Sequence, residues 1–145
     1  MAITTAMCTS FKQELLGGVH DLDTHTLKLA LIKSSMSGTY GAATANYSDV
    51  TGNSDEASGT NYSAGGQNLD GATIAVSGTT AHVDFTDEVF SNVTVSADGC
   101  IIYNSSASNK AICVIDFGGT VSATAGDLTI EFPAAGASTA VIRIA

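Results

Sequence analysis

Charge is what this sequence has least of. Charged residues make up 13% of the chain, against about 25% in ordinary soluble domains. Only five are basic, Lys12, Lys28, Lys33, Lys110 and Arg143, and they are scattered in a chain of formal net charge −9. Phosphate backbones and anionic membranes are held by clustered cations whose counterion release supplies the affinity, so neither nucleic acid nor a membrane is an expected partner. A surface this sparsely charged is expected to face other protein. Cysteine is scarce too. Cys8, Cys100 and Cys113 are odd in number and lack C-x-x-C spacing, which excludes a disulfide framework and a zinc site of that type. Cys113 alternates with apolar neighbours and reads as a small buried hydrophobe. No apolar run approaches the length of a membrane span, and the opening MAITTAMC has neither the basic nor the apolar region of a secretory signal. The expectation is a soluble product made in the cytoplasm.

What is present is enough for one domain over residues 1–145. A chain of this length buries roughly 70% of the surface that it exposes when unfolded, and needs no metal or disulfide to hold a core. The stretch CTSFKQELLGGVH places Met7, Phe11, Leu15 and Val19 four apart, with Cys8 and Leu16 alongside. That period predicts a helix over 5–17, capped by Thr4, Thr5 or Ser10 and stopped by Gly17 and Gly18. So short a helix is marginal alone and must dock, either on its own domain or on a neighbouring subunit. Phe11, Leu15 and Leu16 are therefore candidate interface residues.

From Thr26 the period changes to two. TLKLALIK sets Leu27, Leu29 and Leu31 on one face of a strand that is apolar on both sides near its end. Residues 34–68, rich in Ser, Gly, Thr, Ala and Asn, form a long loop region, and loops of that length are functional, disordered or hide a short element. Its tyrosines Tyr40, Tyr47 and Tyr62 either form an aromatic binding surface or pin the loop to its own domain. ATIAVSG and TAHVDF predict a hairpin turning at 77–80, with Ala81, Val83 and Phe85 on one face and His82 and Asp84 on the other. VFSNVTVS, GCIIYN, KAICVIDF, DLTIEF and TAVIRIA read as further strands. Some seven short strands predict an all-β fold, an antiparallel β-sandwich or barrel of jelly-roll or immunoglobulin-like type, with one short N-terminal helix.

Two clusters have the residue types of chemistry. HVDFTDEVF holds His82, Asp84, Asp87 and Glu88, and GVHDLDTH holds His20, Asp21, Asp23 and His25. Histidine with carboxylates can ligate a divalent metal or exchange protons. The first, however, has no second histidine at ligand spacing and reads as a solvated acidic turn. The second reads as a polar linker with an Asp-capped turn. No G-x-S-x-G elbow, P-loop or dinucleotide fingerprint is present. No catalytic, cofactor-binding or metal residue is assigned, and the expectation is a protein that is not an enzyme. A small metal-dependent enzyme built on His20, His25 and His82 is the alternative of another class.

Together these residues resemble small structural proteins of tailed bacteriophages. The resemblance rests on SFKQELLGGVH leading into the strand KLAL, on NYSAGGQNL, on IYN at 102–104, on DFG at 116–118, and on FPA with AVIRIA near the end. It runs through the chain in order. One departure is that those relatives carry Y-T-S-S after A-L, where this chain has Ile32 and Lys33 before Ser34 and Ser35. The resemblance implies a virion structural protein, a capsid decoration or cement protein on the head shell. Its expected partners are the major capsid protein, itself as a dimer or trimer, or both. The alternative is a tail, fibre or head-spike component that contacts a receptor or glycan through its long loop.

Overall fold

The computed structural model of the chain describes residues 2–145. It is mostly β, with antiparallel sheets and one short N-terminal helix. The elements in order are β1 (Ala2–Ile3), β2 (Ala6–Met7), α1 (Thr9–Leu16), β3 (Leu27–Ile32), β4 (Thr39–Tyr40), a helical turn α2 (Ser48–Thr51) and β5 (Gln67–Asn68). There follow β6 (Thr73–Ser77), β7 (Thr80–Asp84), β8 (Glu88–Asn104), a 3₁₀ turn (Ser105–Ala107), β9 (Lys110–Ile130) and β10 (Ile142–Ile144).

The main sheet has the order β2-β9-β8-β3-β5, and a second sheet has the order β10-β7-β6. A two-residue parallel pair, β1 with β4, makes a third. Among the described residues no sheet closes into a barrel. β3 lies between β8 and β5, which explains why it is apolar on both faces: Leu29, Ala30, Leu31 and Ile32 are all buried.

Two expectations need correction. The four short strands read between 89 and 132 are two long ones, of 17 and 21 residues, paired as a single hairpin. Their register shifts at bulges, including one between Ala97 and Gly99. The helix begins later than 5–17 predicts. Ala6 and Met7 pair with Val114 and Cys113, and the Cys8 N–H donates to the Ile112 carbonyl, so the chain stays extended until Thr9. Thr5 is no cap either, since its hydroxyl accepts from the Asp116 N–H. The C-terminal stop is as predicted. Gly18 takes φ +71°, its N–H reaches the Leu15 carbonyl, and the Val19 N–H reaches Glu14, a Schellman closure. Of the three readings of the segment 34–68, the structure has the one with hidden short elements, since it carries β4, α2 and β5.

Two carboxylates organise that segment, Asp55 buried and Glu56 half-buried. Asp55 accepts from Tyr40 OH at 2.6 Å, from the N–H groups of Ser37 and Gly38 at 2.9 and 2.8 Å, and pairs with Lys33 at 3.4 Å. Glu56 accepts from Tyr47 OH, from Tyr62 OH at 2.9 Å and from the Gly65 N–H at 2.7 Å. Tyr47 stacks on Tyr103 with ring centroids 4.4 Å apart, and Tyr103 OH donates to the Gly65 carbonyl.

The three cysteines are buried and unpaired by disulfides. Burial pushes the Cys8 and Cys113 thiols up to about 12, with nearby Asp49 and Glu14 adding to Cys8, and also raises Cys100. At pH 8 a thiol with that affinity for its proton is thiolate in only about one molecule in 10⁴. All three should therefore stay unmodified by a thiol reagent in the native state and react fully in denaturant. Rapid native labelling, followed by mass spectrometry, would show that the core opens readily.

Candidate functional site

The register of the second sheet gives it one wholly apolar face. Ile74, Val83 and Ile142 form one cross-strand row, and Val76, Ala81 and Ile144 form the next. Residues directly opposite in antiparallel strands share a face, so these six side chains point the same way. The central pair is covered best: Val83 and Ile142 are buried. Toward the edges the face opens, with Ile74 53%, Val76 70% and Ile144 49% exposed.

Helix α1 lies beside this face. Phe11 turns inward and is fully buried against His20, with ring centroids 4.9 Å apart. Leu15 is half-buried, and Leu16 is 92% exposed. Two depressions join helix to sheet. One, of about 390 Å³, is lined by Leu15, Leu22, Ile74, Val83, Ile142 and Ile144 among others. The other, of about 420 Å³, is lined by Met7, Lys12, Leu15, Leu16, Arg143 and Ile144. The result is one apolar surface running from the end of α1 across β10 to β6. Isolated exposed apolar residues are ordinary, but a contiguous patch marks an interaction surface.

Among the expected interface residues, Leu15 and Leu16 lie on this surface and Phe11 lies beneath it. The tyrosines do not join it. Tyr40 is buried, and Tyr47 and Tyr62 are half-buried with their hydroxyls on Glu56. Of the two readings of these rings, the geometry has the one in which they pin 34–68 to its own domain. Burial pushes the Tyr40 hydroxyl up to about 12, and its hydrogen bond to Asp55 adds to the rise. Ile74, Val76, Ile144, Lys12 and Arg143 were not singled out from sequence. The alternation in ATIAVSG and TAVIRIA puts Ile74 with Val76 and Ile142 with Ile144, but does not show that both strands are sheet edges.

The histidine clusters resolve into structural roles. Asp21 accepts from the N–H groups of Asp23 and Thr24 and from the Thr24 hydroxyl at 2.7 Å, which is the Asp-capped turn. The buried Asn104 amide nitrogen meets His20 Nδ1 at 3.0 Å and His25 Nδ1 at 2.9 Å, while its oxygen caps the 3₁₀ turn by accepting from Ser106 and Ala107. An amide NH₂ only donates, so both Nδ1 atoms are acceptors here. His20 Nε2 in turn reaches Glu14 at 2.7 Å, and Lys110 reaches the same carboxylate at 3.1 Å. Burial opposes the Glu14 charge, but these two donors outweigh it and hold the carboxyl below its usual range.

Replacing Asn104 by Leu removes both arms of this clasp and strands the buried His20. The cost should be about 1 to 3 kcal/mol, read by denaturant unfolding, and unchanged stability would show that the clasp holds nothing.

His82 does not face solvent as its strand parity predicts. It is buried, with Nε2 3.1 Å from the Ser77 hydroxyl, and it shares the opposite face from Ile74 with Ala75 and Arg143. Glu88 begins β8 rather than a turn, and burial with Asp70 nearby raises its carboxyl. Asp87 accepts from the Phe132 N–H at 2.8 Å. Among the described residues no group of three or more His, Cys, Asp or Glu side chains is placed to hold a metal ion. None of their helices is long and apolar enough to cross a membrane. No protein-family model, no curated protein and no solved structure matches the chain.

Proposed function

We propose that this chain is a structural protein of a phage virion, a decoration or cement protein that docks on the capsid shell and acts without catalysis. The observation that carries the reading is the contiguous apolar surface of Leu16, Ile144, Ile74 and Val76. The sparse charge and the motif resemblance to tailed-phage structural proteins support it. The main and second sheets are the two layers of a β-sandwich in this reading. One continuous core joins Val83, Phe85 and Ile142 to residues of β3, β8 and β9, and Phe85 meets Phe132 edge-on at 6.0 Å. Such a layered, rigid body suits a protein bound in many copies to a lattice, stabilising the assembled shell by mass action. The tail or fibre reading needs the tyrosines of 34–68 at an exposed tip, and the inward Tyr40 gives it no support.

Phage heads that lack the protein, mixed with purified chain and sedimented, test the reading. Wild type should bind in a fixed ratio to shell subunits. Leu16→Asp should fold with stability within about 0.5 kcal/mol of wild type, because the side chain is exposed. It should bind about 30-fold more weakly, as expected for loss of an apolar anchor at an interface. Wild-type protein that leaves the heads bare overturns the proposal.

A further inference from the structure

We infer that the depression between α1 and β10 receives an apolar side chain flanked by carboxylates, presented by a different protein. This rests on the reading of that surface as a docking site and names the chemistry of what docks there. The chain carries a formal net charge of −9, yet the depression is lined by two cations, Lys12 and Arg143, and by no acidic residue. Three of the five basic residues, Lys12, Lys28 and Arg143, lie outside any salt bridge among the described residues, and two of those three line this depression. Lys33 pairs with Asp55 and Lys110 with Glu14, while neither Lys12 nor Arg143 forms a salt bridge among the described residues. The local sign thus opposes the global one at the place where Leu16 and Ile144 are most open.

Both cations are exposed, and their positions are set by the fold. Lys12 stands one helical turn before Leu16, on the same side of α1. Arg143 is steadied by donating from Nη1 to the Ala137 carbonyl at 2.8 Å, which leaves its other donors to a ligand and reduces the freedom lost on binding. A second copy docked about a twofold axis through this depression would set the two cations of one copy against the two of the other, and like charges at an interface suppress pairing. A foreign surface with carboxylates around an apolar anchor meets both needs at once.

Two fluorescein-labelled amphipathic helical peptides serve as probes. They share one leucine face and differ only in carrying Glu or Lys at the flanking positions. Non-specific attraction to an acidic protein favours the Lys peptide, so the comparison is stringent. In fluorescence anisotropy at about 0.15 M salt, wild type should prefer the Glu peptide by about tenfold or more, and the preference should shrink as salt rises. The double variant Lys12→Glu with Arg143→Glu, altered only at exposed positions, should reverse the preference, and Leu16→Asp should lose both peptides. Equal or preferential binding of the Lys peptide, binding of neither, or self-association of wild type that the double variant abolishes overturns the inference. Head binding is read separately, so bare heads with an intact Glu preference would reject the capsid role and keep the acidic partner.

Discussion

Gly66→Ala should leave no stably folded protein. At this position φ is +74°, and an added Cβ would lie 1.7 Å from the carbonyl oxygen of Leu29 and 2.6 Å from its carbon. Both belong to the backbone of β3, the strand buried between β8 and β5, so neither can rotate aside. Relief requires the chain at 66 to retreat, which breaks the pairing of Gln67 with Leu29 and Asn68 with Lys28. The backbone conformation alone costs a residue other than glycine about 1 to 2 kcal/mol. Adding the lost pairing and the disturbed core brings the total above about 4 kcal/mol, a large part of the stability of any domain. Gly18→Ala is the control. It has nearly the same φ, +71°, with nothing within 4 Å of the added carbon, so it should lose only the conformational part, about 1 to 2 kcal/mol. Circular dichroism with urea titration reads both. A Gly66→Ala protein as stable as the Gly18→Ala protein would mean that the chain at 66 does not press on β3.

The same glycine shows where the sequence was legible. A strand that alternates against one core, such as DLTIEF, can be read from period two, and the apolar run of TLKLALIK fits burial on both faces, because the side chains that bury themselves set the pattern. Nothing local in NYSAGGQ shows that another strand's carbonyl will sit against one of its glycines. VFSNVTVS and GCIIYN read as separate strands with Ala97 and Asp98 between them, yet β8 runs through both residues. Gly99 lies inside β8, where a Cβ would meet the Ile115 carbonyl at 2.4 Å and the Ile3 side chain at 2.8 Å. Glycine inside a strand marks a close approach of backbone as readily as a chain reversal. For the apolar surface, the helical stripe selected Phe11, Leu15 and Leu16 together, but Phe11 turned in and Leu16 out. Which of them is left uncovered depends on where β10 lands, more than a hundred residues along the chain, and no helical period contains that.

The order of residues 34–68 was the least legible feature and has the sharpest test after Gly66. A segment rich in Ser, Gly, Thr and Asn buries few apolar groups, Tyr40, Val50 and Ala57 among them, so much of its order must come from hydrogen bonds to a few acceptors. Asp55 is the chief of these, fully buried and bound by Tyr40, Ser37, Gly38 and Lys33. Burial alone would raise its carboxyl. The donors around it outweigh burial, and the net effect holds it well below the usual carboxylate range. The sign of the linkage follows. A carboxyl depressed in the folded state binds its proton more readily when unfolded, so its contribution is complete above the unfolded value of about 3.9. That contribution is lost as the pH falls from there toward the folded value. Asp55→Asn keeps the shape, removes the charge and turns an NH₂ toward groups that donate. It should cost about 3 to 5 kcal/mol at neutral pH, lowering the melting temperature by roughly 6 to 20 °C in a chain of this size. It should also flatten the fall of stability between about pH 4 and pH 2, because the titrating group is gone. Thermal melts of both proteins across that range check the two effects together. A variant that melts near wild type at pH 7, or that keeps the full acid dependence, would show that 34–68 is ordered by something other than the Asp55 carboxylate.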